Sequence, residues 1–374
     1  MIAIIKIMSS QDKKNEMGKR VFVGMSGGVD SSVSAALLKR DGHDVTGVFI
    51  KVWQPDWLEC NWREERLEAM RATAHLGIPF VTLDLVKEYK AGVIDYMIAE
   101  YAAGRTPNPD VMCNREVKFG AFWKWAKARG ADFIATGHYA QNIDRRMLIS
   151  KDSNKDQTYF LWTLTSDDLE HVLFPVGGMT KPEVRVLAKK FKLPNADKKD
   201  SQGLCFIGKV DLKEFLKHYI NAKPGAVLDD QGKAIGKHPG SLLFTIGERH
   251  GFTIGYKEKT PSDAPYYVIA KNVVANTITV SNKQDGLLPR AKKTIDIIRV
   301  NWISRTPKIG EPLRARSRYR ETLYFCKASA ISNTRDGLGD TATIEFDQPQ
   351  DTITPGQSLV LYDDQECLGG GIIV

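Results

Sequence analysis

An α/β fold is predicted over residues 19–209: a doubly wound, mostly parallel sheet, followed by a small central domain and a C-terminal β-barrel. Three observations carry the prediction. Apolar, strand-length runs alternate with helix-length amphipathic runs. The first apolar run ends in a glycine-serine turn that opens a helix, "VFVGMSGGVDSSVSAALL". After about residue 210 the helical period gives way to short β-rich runs separated by Gly and Pro.

The elements follow in order. "KRVFVGMS" is apolar and bounded by glycine, as a buried strand is. "SVSAALLKRDG" is a helix with its stop at Gly42. "DVTGVFIKVW" and "IPFVTLDL" are strands, and "REERLEAMRATAHLG" between them is an amphipathic helix ending at Gly77. "YKAGVIDYMIAEYAAG" and "VKFGAFWKWAKARG" are helical, and "ADFIATGHYA" is a strand. "TKPEVRVLAKKFKLP" is a helix with Pro182 in its first turn, and "VDLKEFLKHYI" is one more. The β-rich runs are "PYYVIAKNVVANTITVSN", "TIDIIRVNWIS", "LRARSRYR", "TLYFCKASAIS", "TATIEFD" and "QSLVLYD". The expected division is a disordered extension over 1–18, a catalytic domain over 19–209, a small central domain over 210–283 and a barrel over 284–374.

The 374 residues carry 53 Lys and Arg against 45 Asp and Glu, a net charge of +8. A basic surface attracts polyanions, nucleic acid first among them. No stretch reaches the ~18 uninterrupted apolar residues of a membrane span, so no membrane partner is expected. The opening apolar run precedes its charges, the reverse of a secretory signal. Five cysteines (Cys60, Cys113, Cys205, Cys326 and Cys367) are scattered, odd in number and without a Cys-x-x-Cys pair. Neither a zinc knuckle nor a thioredoxin-like motif is indicated, and a reducing cytoplasm fits.

Gly27 and Gly28 allow close backbone approach to a ligand, and Ser26, Ser31 and Ser32 offer hydroxyls. The unsatisfied N–H groups of the helix start favour an anion. The lysine of a G-x-x-x-x-G-K-[ST] loop is missing. Asp30 is unfavourable beside phosphate unless a cation bridges it, which points to Mg²⁺ with ATP. The run S-G-G-V-D-S-S resembles the PP-loop of adenylating ATP pyrophosphatases, which cleave ATP between its α- and β-phosphates. The loop there holds the departing pyrophosphate.

Two cysteines stand out. Cys113 follows a proline-rich turn and precedes a helix, with Asp110 and Arg115 close by in sequence. Cys205 lies in a glycine-flanked turn after Lys198, Lys199 and Asp200. Helix starts and nearby cations favour the reactive thiolate. Cys326 alternates within a strand and Cys367 precedes "LGGGIIV"; both read as core.

The motifs "GMSGGVDSSV", "AGRTPNPDVMCNREVKF", "ATGHYA", "DSNKDQTYFL", "FPVGGMTKPEVR", "KKDSQGLCFIG", "TIGERHG", "RYRE" and "PGQSLVLYDDQECLGGGII" run in order from Lys19 almost to the last residue. Together they resemble the tRNA-specific 2-thiouridylase family. The resemblance implies an adenine-nucleotide α-hydrolase-like PP-loop domain and sulfur transfer to the wobble uridine of tRNA. It implies ATP at Gly24, Met25, Ser26, Gly27, Gly28, Val29, Asp30, Ser31, Ser32, Ile50 and Gly137. It implies a persulfide on Cys205, a disulfide closed by Cys113, and Asp110 as acid/base helper. Asn108, Pro109 and Asp110 would face a flipped uridine, in keeping with enzymes that extrude the base they act on. His138, Lys155, Asp156, Gln157, Arg318, Tyr319 and Gln357 would contact tRNA. The implied partners are tRNAs reading Lys, Glu and Gln codons and a persulfide carrier or cysteine desulfurase. From the residues alone, "RARSRYR" on a strand offers a backbone-gripping, stacking face.

Departures exist. Ile50 stands where the family usually has Met, and "QPDWLECNWREERLEAM" is short and Trp-rich. Three alternatives stay open: an amidating or other PP-loop adenylating ligase, a non-catalytic tRNA-binding module, and an iron–sulfur cluster on Cys113, Cys205 and Asp110 as the sulfide donor.

Overall fold

A computed structural model describes residues 18–58, 62–199, 211–255, 265–282, 291–332, 340–350 and 353–374. Residues 1–17 of the expected extension, Cys60, Cys205 and Asp200 lie outside the described residues. The chain forms two compact units, each described below by itself.

The first unit draws on described residues of Met1–Lys90, Cys113–Thr158 and Leu164–Gln202. Its strands are β1 (Arg20–Gly24), β2 (Asp44–Lys51), β3 (Phe80–Asp84), β4 (Phe133–Ala135), the hairpin pair β5 (Gln141–Ile143) and β6 (Arg146–Leu148), and β7 (Val172–Leu173). An all-parallel sheet runs β3-β2-β1-β4-β7. Val21, Phe22 and Val23 of the central β1 are all buried, because a parallel strand is covered on both faces. The helix Val29–Arg40 is buried along most of its length. Its Ala35 and Leu38 pack with Val21, Val23 and Phe49. Its Val29, Val33 and Leu37 meet Val184 and Ala188 of the helix Lys181–Lys190. That second helix starts on a Thr180–Glu183 capping box with Pro182 in its first turn.

The runs expected as plain helices are interrupted. Wide π-helical turns occupy Lys90–Asp95 and Cys113–Ala121. A π turn admits an extra residue and re-aims the side chains around it. Gly120 permits one of them, since a Cβ there would stand 2.6 Å from the Arg115 carbonyl oxygen.

The second unit draws on described residues of Ala91–Met112, Tyr159–Thr163 and Gly203–Val374. Its smaller sheet holds β8 (Gly225–Leu228), β9 (Ala234–His238), β10 (Thr253–Ile254), β11 (Tyr267–Asn272) and β12 (Thr277–Ser281), in the order β10-β9-β8-β12-β11. Its barrel holds β13 (Lys292–Trp302), β14 (Pro312–Arg316), β15 (Tyr324–Ser332), β16 (Thr341–Gln350), β17 (Ser358–Asp363) and β18 (Glu366–Ile373). The six run β13-β16-β15-β14-β17-β18, and β18 returns to pair with β13, closing the barrel. Leu313, Cys326, Ile344, Phe346, Leu359, Leu361 and Leu368 fill it.

One expectation changes in the barrel. "RARSRYR" is a strand only through Arg316, and its arginines do not share one solvated face. Arg316 is buried and donates to the Tyr362 hydroxyl at 2.8 Å from Nη2, over whose ring its guanidinium sits. A guanidinium placed inside a barrel wall must find such a partner.

Candidate active site

The loop after β1 is built for an anion. The Met25 N–H donates to the Val48 carbonyl at 2.8 Å, which ties the loop's root to β2. Gly27 adopts φ +73°, and a Cβ there would lie 2.4 Å from the Glu65 carbonyl oxygen. Only glycine fits both demands. Gly28 is the N-cap of the helix Val29–Arg40. Hydroxyls weave the turn together. The Ser26 N–H donates to Ser31 Oγ at 3.2 Å, and Ser31 and Ser32 each donate to the Gly28 carbonyl, at 3.2 and 3.0 Å.

The loop's carbonyls are held by donors from far along the chain. Asn195 Nδ2 reaches Gly27 O at 3.0 Å, Gly28 O at 3.2 Å and Ser32 Oγ at 3.0 Å. Lys198 Nζ donates to Gly27 O at 3.2 Å. Carbonyl oxygens repel an anion. Tying them to protein donors leaves the N–H groups of the helix start to face one. The residues therefore fit the phosphates of a nucleotide.

Gly137, at the end of β4, abuts the same turn. A Cβ on it would sit 2.7 Å from the Ser31 nitrogen and 2.9 Å from the Asp30 carbonyl carbon. Ile50, buried at the end of β2, lies with the loop at the carboxyl edge of the parallel strands, where such sheets bind ligands. A cavity of about 640 Å³ opens beside the loop, lined by Glu64, Glu65 and Glu68 and by Asn195 and Lys198. Burial pushes the Glu65 carboxyl up, with Lys198 opposing.

Asp30 has a cationic partner within the chain itself. Sequence reasoning asks for a cation beside it and assigns Mg²⁺. In the fold an ammonium stands there: Lys181 Nζ donates to both carboxylate oxygens, at 2.7 and 2.8 Å. The Tyr139 hydroxyl donates to Oδ1 at 2.9 Å.

Of the residues assigned to thiol chemistry, Cys113 opens the π-helical stretch and is fully buried. Cys205 lies outside the described residues. Among the described residues, no group of three or more His, Cys, Asp and Glu side chains is placed to hold a metal ion. Cys326 and Cys367 are buried in the barrel, and burial holds the Cys326 thiol up at about 12.

The residues assigned to tRNA divide between the units. In the first, His138 is buried against Phe119 and Phe174 and shares a 2.8 Å hydrogen bond with Thr136. Burial, then the charge of Lys118, holds its imidazole well below the usual histidine value. Asp156 is buried and accepts from Ser150 N–H and Thr158 Oγ1. Gln157 Oε1 accepts from the Tyr139 N–H at 2.9 Å. These two brace a turn, and Lys155 precedes them with its N–H on Asp152 O.

In the second unit the fold gathers Asn108, Arg318, Tyr319 and Gln357 around Tyr159. The buried Tyr159 hydroxyl donates to Ser317 O at 2.7 Å and is hydrogen-bonded by the Asn108 side chain. Gln357 Nε2 donates to Thr106 O at 2.8 Å and Pro107 O at 3.1 Å, just before Asn108. Arg318 Nη2 donates to Ile246 O at 3.1 Å, and the Tyr319 ring lies 4.7 Å from Phe160. Pro109 and Asp110 open the short helix Pro109–Met112, with Asn108 Oδ1 accepting from the Val111 N–H. Sequence reasoning singled out neither Tyr159 and Phe160 here nor Lys181 and Asn195 at the loop. "DQTYFL" and "TKPEVR" were the available signals.

Three family models match in series: "tRNA methyl transferase HUP domain" over residues 19–209, "tRNA methyl transferase PRC-barrel domain" over 213–282 and "Aminomethyltransferase beta-barrel domain" over 292–373. The tRNA-specific 2-thiouridylase MnmA of Thiobacillus denitrificans is 44% identical over 96% of this chain and 100% of its own. The Vibrio cholerae protein of the same name is 43% identical over 98% and 99%. The chain belongs to the tRNA-specific 2-thiouridylase family of enzymes. Overlap with solved structures is slighter: the U34-tRNA thiolase NcsA of Methanococcus maripaludis matches at 16% identity and a TM-score of 0.36, over 55% of this chain and 66% of that one.

Proposed function

We propose that this member of the family transfers sulfur to carbon-2 of the wobble uridine of tRNA at the expense of ATP, with Mg²⁺ as its cofactor. The observation that carries the reading is the loop Gly24–Ser32, with its carbonyls tied back by Asn195 and Lys198 and no Walker lysine of its own. Such a loop suits a pyrophosphate that is to be discarded rather than a terminal phosphate that is to be passed on. Adenylation makes the carbon-2 oxygen a leaving group. The terminal sulfur of a persulfide on Cys205 attacks carbon-2, and AMP departs. The Cys113 thiolate then attacks Cys205 Sγ. The S–S bond to the base breaks, its electron pair stays on the new thiocarbonyl sulfur, and a Cys113–Cys205 disulfide remains for a cellular thiol to reduce. A persulfide carrier or cysteine desulfurase loads Cys205. Asp110 serves as the acid/base helper, and Asn108, Pro109, Arg318, Tyr319 and Gln357 belong to the tRNA face. The substrates are tRNAs for Lys, Glu and Gln, and the site of action is the cytoplasm.

The test is mass spectrometry of tRNA nucleosides after incubation with ATP, Mg²⁺ and a persulfide donor. The expected result is an oxygen-to-sulfur mass gain at uridine, lost in Cys205→Ser and Cys113→Ser while pyrophosphate release from the adenylation step persists. No mass gain with the unaltered chain overturns the reading. Full activity in Cys205→Ser overturns the persulfide route, and iron with sulfide in anaerobically purified protein replaces it with a cluster route.

A further inference from the structure

We propose that Lys181 is a phosphate-contacting residue of the nucleotide site, kept beside the loop by Asp30 and handed to the pyrophosphate as it departs. The inference rests on the adenylating reading above and adds to it a residue from a separate helix.

The charge problem comes first. A departing pyrophosphate carries several negative charges, and the helix start offers about half a positive charge. Asp30, one residue into the helix Val29–Arg40, subtracts from that. A loop of this kind needs a formal cation, and "SGGVDSS" has none.

The fold brings one from 151 residues away. Lys181 Nζ lies 2.7 and 2.8 Å from the two Asp30 oxygens, and its side chain is only 12% exposed. Both charges are thus largely out of water, where an ion pair survives only with good geometry. The lysine's backbone is fixed. Its N–H donates to Asp152 Oδ2 at 2.9 Å, Thr180 caps the helix before it and Pro182 follows. Only the flexible four-carbon stem is left to move, which is how lysine delivers a point charge to phosphate. Asp30 is provided for after the transfer, because Tyr139 donates to its Oδ1 at 2.9 Å. Gly137 packs against the Asp30 backbone, so the pair stands within the predicted ATP site.

A plain structural ion pair is the competing account. In that case Lys181 does no more than cancel Asp30, and removing both together restores the loop. A thermodynamic cycle separates the two. Binding of inorganic pyrophosphate, without divalent metal, is measured by calorimetry for the full chain and for Lys181→Gln, Lys181→Arg, Asp30→Asn and the Asp30→Asn/Lys181→Gln double variant. Loss of one charge-assisted contact to phosphate weakens binding about ten- to a hundredfold. That loss is expected in Lys181→Gln and in the double variant alike. Lys181→Arg keeps most of the affinity, and Asp30→Asn, which frees the ammonium, binds more tightly. Wild-type affinity in Lys181→Gln or in the double variant overturns the proposal. Where thermal unfolding shows Lys181→Gln to be misfolded, Asp30→Asn decides: unchanged or weaker binding overturns it. Failure of the thiolation reading shows separately, as absence of 2-thiouridine with the unaltered chain, whatever the calorimetry gives.

Discussion

The surroundings of His138 are set by residues far from it in the chain. The family resemblance implies a tRNA contact here, and the fold packs its ring against Phe119 and Phe174. Its depressed proton affinity has a consequence for stability. Above about pH 6.5 the imidazole is neutral in folded and unfolded chains alike. Below that, the unfolded chain takes up a proton that the folded chain refuses. Stability therefore falls with pH below about 6.5, at up to about 1.4 kcal/mol per pH unit from this group. Urea unfolding between pH 7 and 5 is expected to show a shallower decline in His138→Gln than in the parent. Parallel curves for the two would contradict this. The loop glycines and serines were legible because they are consecutive. Asn195 and Lys181 were not, because their partners lie more than 150 positions away. In the sequence Lys198 is a neighbour of Cys205, and only the fold makes it a donor to Gly27.

Most elements of the parallel sheet follow from the alternation of apolar runs and helices. Elsewhere in the chain two features do not follow so simply, and both have local causes. β18, "ECLGGGII", escapes propensity because glycine is poor in strands. The structure supplies the reason for the glycines. A Cβ on Gly370 would lie 2.3 Å from the Leu359 carbonyl oxygen, and one on Gly369 2.0 Å from Asn301 O. β18 is squeezed between β17 and β13, and only a bare backbone passes. Gly370→Val is expected to destabilise the chain by about 1–3 kcal/mol or more, by overpacking against immovable backbone. An unchanged urea midpoint would refute that. The π turns at Lys90–Asp95 and Cys113–Ala121 were hidden too, since an inserted residue leaves the apolar pattern helical on either side.

Over the whole molecule the net charge of +8 suits a polyanion, and the proposed tRNA substrate is one. Counter-ions released from the RNA make such binding salt-dependent. With about five phosphate contacts, affinity drops about 100- to 500-fold between roughly 50 and 200 mM salt. Filter binding of unmodified tRNA over that range tests it, and a flat profile would argue against a backbone-gripping surface. No helix among the described residues is long and apolar enough to cross a membrane. The closing β13–β18 pair that makes six strands a barrel joins the ends of the C-terminal segment. No local pattern announces such a pairing.

The amino-acid order by itself determined the alternating α/β segment, the β-rich remainder, the phosphate loop and the two candidate thiols. Each of these depends on residues adjacent in the chain, whose backbone freedom and polarity act over a few ångströms. Tertiary structure alone decided which cation meets Asp30, which donors silence the loop's carbonyls, and that Asn108, Tyr159, Arg318 and Gln357 share one neighbourhood. Those arrangements depend on separated segments being packed together, and hydrogen bonds of 3 Å exist only once the packing has placed them.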